Sequence, residues 1–301
     1  MIKKLDRFFE NIFSEKMRNK VESTIIYVAI LGFIVHLLLI ALVRFKIIMD
    51  NGHSYLLDSP IAAIYTPFSF IIIYEVYLLV YYLPKSTTIY IAKQYEIITL
   101  IIIRRVFKDL SNLEITKDWV NNSRDTQLLL DLITTLLLFF LIFVFYSLSH
   151  TQQKKGVLQT ETSPKILRFI QIKKIVAASL IPVFLVLSFY SFGTWLADSF
   201  LSVNLLVDNM KNVNKIFFND FFTILILIDV LLLLFSLLHT DEFHKIIRNS
   251  GFIISTILIK LSFNAEGILN LILIIVAVLF GVSILLIHNK YEKSDFITEK
   301  K

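Results

Sequence analysis

Cysteine is absent from the chain, which removes disulfides, thiolate metal sites and thiol nucleophiles in one stroke. Glycine and proline are nearly as scarce, 7 and 5 in 301 residues, and no phosphate-cradling GxxxxGK[ST] loop or TVGYG filter run occurs among them. Charge is thin as well: Asp, Glu, Lys and Arg make up 18% of the residues. No polar block exceeds about 25 residues, so the sequence leaves no room for an appended soluble module. A cleavable leader is not expected either. The first apolar run starts only near Thr24, is about 20 residues long and lacks a small-residue cleavage site, so it reads as a retained helix.

What fills the chain instead is apolar: 56% of residues are hydrophobic and the mean hydropathy is +0.73. The apolar residues gather into runs long enough to cross about 30 Å of hydrocarbon as helix. The expected fold is therefore all-α, a polytopic transmembrane helix bundle of six to eight crossings. Clear crossings are expected at 24–43, 61–83, 127–148, 175–197, 218–239 and 267–288. Two segments leave the number open. Residues 87–110 read either as a crossing helix with a charged stripe turned inward or as an amphipathic helix on the membrane surface. Residues 251–263, only thirteen, are too short to cross easily. Ahead of the bundle, Leu5, Phe8, Phe9, Ile12, Phe13 and Met17 fall on one helical face with Lys and Arg on the other, so residues 1–22 are expected as an interfacial amphipathic helix. Residues 23–289 then form one transmembrane domain, and 290–301 a disordered basic tail.

The net charge of +6 does not point to nucleic acid, because Lys and Arg lie mostly between apolar runs, where they set orientation and meet anionic head groups. The lipid bilayer is the expected partner, with a second copy or another membrane protein as a further one. The distribution favours a cytoplasmic N-terminus in a bacterial cytoplasmic membrane. An internal repeat is suggested by 131–151 and 220–240, which match Asp131 to Asp220, Thr134 to Thr223, Ser147 to Ser236 and His150 to His239.

Ionisable residues inside apolar runs carry the functional reading, since Lys, Arg or Asp at a helix centre costs about 2.5 to 3.5 kcal/mol on insertion scales and usually faces a partner or a wet cavity. Glu75 lies within 61–83, facing away from a stripe of Tyr74, Tyr77 and Tyr81 that is expected at the bundle surface or at an interface. Lys93, Glu96 and Arg104 share one stripe of 87–110, opposite Ile91, Tyr95, Ile98 and Ile102. Asp229 sits at the centre of 218–239, with Ser236 on its face. These five are the candidates for a transport pathway or a buried polar network. In the first crossing, Ala29, Gly32 and His36 share a face that lets another helix approach, and His36 reads as a packing or hydrogen-bonding residue.

Other chemistry finds little support. His239, Asp241 and His244 in HTDEFH could in principle ligate a metal, but they lack the i, i+4 pair that one helix face needs, so no metal and no cofactor are expected. Ser236 lies near His239, yet the last helix has no HxxxH to complete a metallohydrolase site. The helix at 127–148 has no Lys or Arg and hence no gating-charge ladder. The chain is therefore not expected to be an enzyme. It reads as an ion- or small-solute-conducting channel or transporter, or else as a non-enzymatic subunit or scaffold that assembles through the tyrosine stripe and basic loops.

Overall fold

A computed structural model describes residues 13–47, 60–110, 123–156, 164–201, 206–238 and 243–298. Among these residues there are no strands. The elements are α1 (Glu15–Arg44), a short 3-10 turn (Pro60–Ile64), α2 (Tyr65–Tyr82), α3 (Thr87–Leu110), α4 (Ser123–Gly156), α5 (Pro164–Leu201), α6 (Leu206–Leu237), α7 (Phe243–Asn264) and α8 (Gly267–Thr298). Six helices are long and apolar enough to cross a membrane: α1, α7 and stretches of α4, α5, α6 and α8. This is compatible with an integral membrane protein.

Local signals explain where α1 starts and stops. The Ser14 hydroxyl accepts a bond from Met17 N at 3.1 Å, Glu15 stands in the first turn and Arg44 in the last, each on the side the helix dipole favours. The end is a Schellman closure: Lys46 N bonds to Val43 O and Ile47 N to Leu42 O. Lys46 takes the left-handed position at φ 56 that glycine usually fills. The thirty residues of α1 reach about 45 Å at 1.5 Å per residue. The division expected at 22/23 thus falls inside one continuous helix, and most of the expected interfacial helix, residues 1–12, lies outside the described residues.

Two further expectations are corrected by helix length. The 13-residue segment is the latter part of α7, whose 22 residues extend about 33 Å. Gly251 marks no boundary, because it is buried inside the helix beneath Ile284, where an added Cβ would come within 2.7 Å of Cγ1. At the other end, α8 runs on to Thr298, so the residues expected as a disordered tail from 290 are helical as far as they are described.

The chain divides into two compact units, Met1–Tyr81 with Glu96–Leu136, and Tyr82–Tyr95 with Leu137–Lys301. In the first, α1 and α2 run antiparallel. His36 Nδ1 meets Thr66 Oγ1 at 2.6 Å, Glu22 accepts from the Tyr74 hydroxyl at 2.8 Å, and the Arg18 guanidinium lies over the Tyr81 ring at 5.7 Å. Ala29 is buried and Gly32 faces Thr66 and Phe70, so this small-residue face does admit a neighbouring helix, with His36 bonded across it. The tyrosine stripe is corrected by the same contacts: it turns toward α1, and Tyr81 is 1% exposed. The Tyr74 hydroxyl gains a carboxylate acceptor there and the Tyr81 ring a guanidinium over its face, neither of which lipid supplies. Helix α3 returns antiparallel to α2, with Phe68 against Phe107 at 4.9 Å and Arg104 Nη1 donating to Ser69 Oγ at 3.4 Å. The turn between them is closed by Lys85 N and Ser86 N on Tyr82 O and by Ile89 N on Ser86 Oγ.

In the second unit α5 packs on α6, α6 on α7 and α7 on α8. A run of aromatic contacts ties the layers: Phe184 to Phe221 at 4.9 Å, Phe222 to Phe263 at 5.3 Å and Phe145 to Phe252 at 5.8 Å. Gly267, at φ 58, makes the tight α7–α8 connection, and Asn270 Nδ2 bonds back across it to Ser262 O at 2.6 Å.

Exposure is inverted relative to a water-soluble protein. Ile26, Tyr27, Ile30, Leu31, Ile34 and Leu38 of α1 are exposed, as are Phe139, Phe140 and Phe143 of α4. A patch of that size would drive aggregation in water and is ordinary against acyl chains. Helix α3 shows the complement. It is the least apolar of the eight helices, yet half of its 24 residues are buried. It is an enclosed helix. The inward stripe is also corrected: Ile91, Tyr95, Ile98 and Ile102 are within 1% of full burial, while Lys93 and Glu96 are only half-buried. The apolar stripe has a protein interior to enter; Lys93 and Glu96 stay half-buried at lower desolvation cost, whereas Arg104 of the same stripe is buried against Ser69.

Candidate functional site: a polar cavity within the second unit

The N-terminal half of α3 places Thr87, Tyr90, Ile91 and Gln94 at i, i+3, i+4 and i+7, one helical face. That face meets Asp229 from α6 and Thr256 from α7. Gln94 Nε2 donates to Asp229 Oδ2 at 3.2 Å, and Thr256 Oγ1 donates to Gln94 Oε1 at 2.6 Å. Both ends of the amide are thereby satisfied, which fixes its orientation. Gln94 and Thr256 are fully buried and Asp229 is 7% exposed. The Tyr90 hydroxyl is buried beside Asp229 and Gln94 without reaching hydrogen-bond geometry with either.

Beside this network lies a cavity of about 30 Å³, lined among others by Thr87, Tyr90, Lys173, Asp229, Asn249 and Phe252. It has room for one or two waters or a single small ion. Lys173, 9% exposed, comes from α5. Its ammonium donates to Thr87 Oγ1 at 2.8 Å and stands 5.0 Å from the Phe169 ring centroid. A buried base and a buried acid therefore face one small space, and among the described residues they form no direct ion pair with each other. Such groups stay charged in a low-dielectric interior only if water, dipoles or a ligand replace their hydration.

A chain of polar contacts leads outward from the cavity wall. Asn249 Oδ1 accepts from Arg248 Nε and Nη2 at 3.3 and 3.2 Å, Arg248 Nη1 lies 3.0 Å from His288 Nε2, and that nitrogen lies 3.3 Å from Glu292 Oε1. His244 stacks on His288 with ring centroids 5.1 Å apart.

Of the five sequence candidates only Asp229 lines the cavity. Glu75, Lys93 and Glu96 are half-buried on α2 and α3, and Arg104 is buried against Ser69. His239 and Asp241 lie outside the described residues, and His244 is joined by His288 and Glu292. The positions matched by the suggested repeat occupy unlike environments: Asp131 is buried and Asp220 exposed, Ser236 buried and Ser147 exposed. Sequence reasoning misses Lys173, which it puts in a basic loop, along with Gln94, Tyr90 and Thr87. Two signals are present. Ser163-Pro164 is a helix-start pattern that brings α5 in eleven residues early. Thr87, Tyr90 and Gln94 share a face that a search confined to full charges passes over.

An all-helical chain with outward-facing apolar helices and a small buried acid–base cavity defines the class. No protein-family model, curated protein or solved structure matches it.

Proposed function

We propose that the chain is a non-enzymatic membrane transporter or channel for a proton or a small inorganic ion, with the Asp229–Lys173 cavity as a station on the pathway. The observation that supports this reading is the pair itself: an acid and a base, each more than nine-tenths buried, share a space of about 30 Å³ and are not spent on each other. Burying such groups for packing alone is costly, whereas a pathway needs a site that binds a charge without holding it permanently. The size of the cavity argues for the small solute. Asp229 accepts the cation or proton, Lys173 balances its charge when the station is empty, and Gln94 and Thr256 hold the carboxylate in place.

The test is flux into liposomes carrying the purified chain, driven by a membrane potential and read for protons, Na+ and K+ in separate assays. Wild-type protein should carry one of these above protein-free liposomes. Asp229→Asn and Lys173→Met should each lower that flux by about tenfold or more, with Glu75→Gln close to wild type. Flux unchanged in both cavity variants removes the cavity from the pathway. Silence of the wild type toward all three ions removes the reading.

A further inference from the structure

We propose that His244, His288 and Glu292 form a binding site for a divalent transition-metal ion of the zinc class, at the ends of α7 and α8 away from the cavity. The site stands independently of what crosses the cavity. One ligand atom from each residue falls within 4.8 Å of the others. His288 and Glu292 come from one helix at i, i+4, the spacing missing from HTDEFH, and His244 comes from the second position of the neighbouring helix.

Geometry supports the assignment. Two ligands each about 2.0 to 2.1 Å from a tetrahedral ion stand about 3.3 to 3.4 Å apart, and His288 Nε2 to Glu292 Oε1 is 3.3 Å. His244, stacked on His288 at 5.1 Å, has to turn out of the stack to bring a nitrogen to that distance. Two imidazoles and one carboxylate suit zinc-like ions and are too poor in oxygen for calcium or magnesium. Three protein ligands leave a fourth position for water.

The buried His288 supplies a second, independent observation. It is 2% exposed, and its Nδ1 finds no hydrogen-bond partner among the described residues. Its Nε2 has Arg248 Nη1 at 3.0 Å and Glu292 Oε1 at 3.3 Å. The guanidinium stands where the metal would bind. Metal and Arg248 then compete for one nitrogen. Arg248 has somewhere to go, because Nε and Nη2 already hold Asn249. Asn249 in turn lines the cavity.

Titration of the full-length chain in detergent with Zn2+ by calorimetry, and with Co2+ by its visible absorption, tests the site. Expected is one ion per chain, with affinity lowered about tenfold or more by His244→Ala, His288→Ala or Glu292→Gln. The absorption of bound Co2+ should be that of a tetrahedral ion with nitrogen and oxygen ligands. Arg248→Gln should tighten binding by about tenfold, because a cation close to the ion is removed. A gain of affinity cannot come from misfolding, so this variant separates the site from mere structural damage. Unchanged binding in His244→Ala and His288→Ala overturns the proposal, as does loss of binding in His239→Ala, which would put the ion in the HTDEFH turn. No tightening in Arg248→Gln refutes the competition for His288.

Discussion

At the residue scale, one short, partly buried ion pair is one that periodicity does not select. Arg105 Nε and Nη2 grip Asp131 Oδ2 and Oδ1 at 2.5 and 2.8 Å, and Gln127 Nε2 adds a bond at 3.0 Å. The Asp131 side chain is fully buried, while that of Arg105 is 35% exposed. Removing the arginine strands a buried charge, which costs about 3 to 5 kcal/mol in a dry site; the partial exposure of Arg105 places Arg105→Met near about 3 kcal/mol. Arg105→Met combined with Asp131→Leu should be closer to wild type than Arg105→Met alone, because no uncompensated charge is left. Urea or thermal unfolding in detergent measures both, and a double variant no better than the single would show that the pair is not the source of the loss. Sequence reading selects Arg104, one residue away. Adjacent arginines point 100° apart on a helix, and nothing in α3 alone says which of them meets the acid of a helix 26 residues on. Asp229 is legible because it stands alone in an apolar run. Lys173 is not, since a lysine beside Lys174 at the edge of a basic stretch looks like any solvated lysine until the helix is seen to start at Pro164.

At the scale of elements, close approach of α3, α7 and α8 depends on two glycines, Gly251 and Gly281. Tyr95 is fully buried, its hydroxyl bonds to Ser255 Oγ at 2.8 Å, and Ser255 bonds on to Ala277 O at 2.7 Å. Its ring also meets Phe145 edge-on at 5.2 Å. The hydroxyl lies over Gly281 where any Cβ would have to be, so Gly281→Ala collides with it and with the adjacent ring carbon. Overpacking of this kind costs about 1 to 3 kcal/mol. Gly281→Ala should therefore lower the melting temperature in detergent by several degrees. Adding Tyr95→Phe should restore part of it, since the atom in deepest collision is gone while Ser255 keeps Ala277. If Tyr95→Phe makes the Gly281→Ala protein worse, the collision is not what destabilises it. The long apolar runs announce α1, α4, α5, α6 and α8 without help from packing. The extent of α7 is hidden because its first turns carry His244, Lys245 and Arg248, and the partners of His244 and Arg248 include His288 of α8. The burial of α3 is hidden for the opposite reason: Gln94, Thr99 and Arg104 make the segment look like a surface helix unless its partners are known.

At the scale of the whole molecule, chain direction makes a prediction that hydropathy alone leaves open. Helices α2 and α3 form an antiparallel hairpin, shown by Phe68 on Phe107 and Ser69 on Arg104. The chain therefore enters and leaves that hairpin on one side of the membrane, whether it crosses fully or in part. The six long apolar helices add an even number of passes, so Ser14 and Thr298 should lie on the same side. A cytoplasmic N-terminus would put the segment between α4 and α5, which follows Lys154 and Lys155 and precedes Lys165 and Arg168, inside as well, the side that an excess of Lys and Arg favours. It would put the α6–α7 connection and, with it, the His244–His288–Glu292 cluster there too. The lack of native cysteine makes the test clean: a single cysteine at any loop position is the sole thiol. Cysteines placed at Ser163, Thr240 and Thr298 should resist a membrane-impermeant maleimide in intact cells and react after permeabilisation, whereas one at Ala265 or Ser54 should react in both. Labelling of Ser163→Cys from outside, together with protection of Ala265→Cys, would invert the orientation. Labelling of Ser54→Cys on one side and of Asn112→Cys on the other would break the hairpin argument, because the two positions flank α2 and α3.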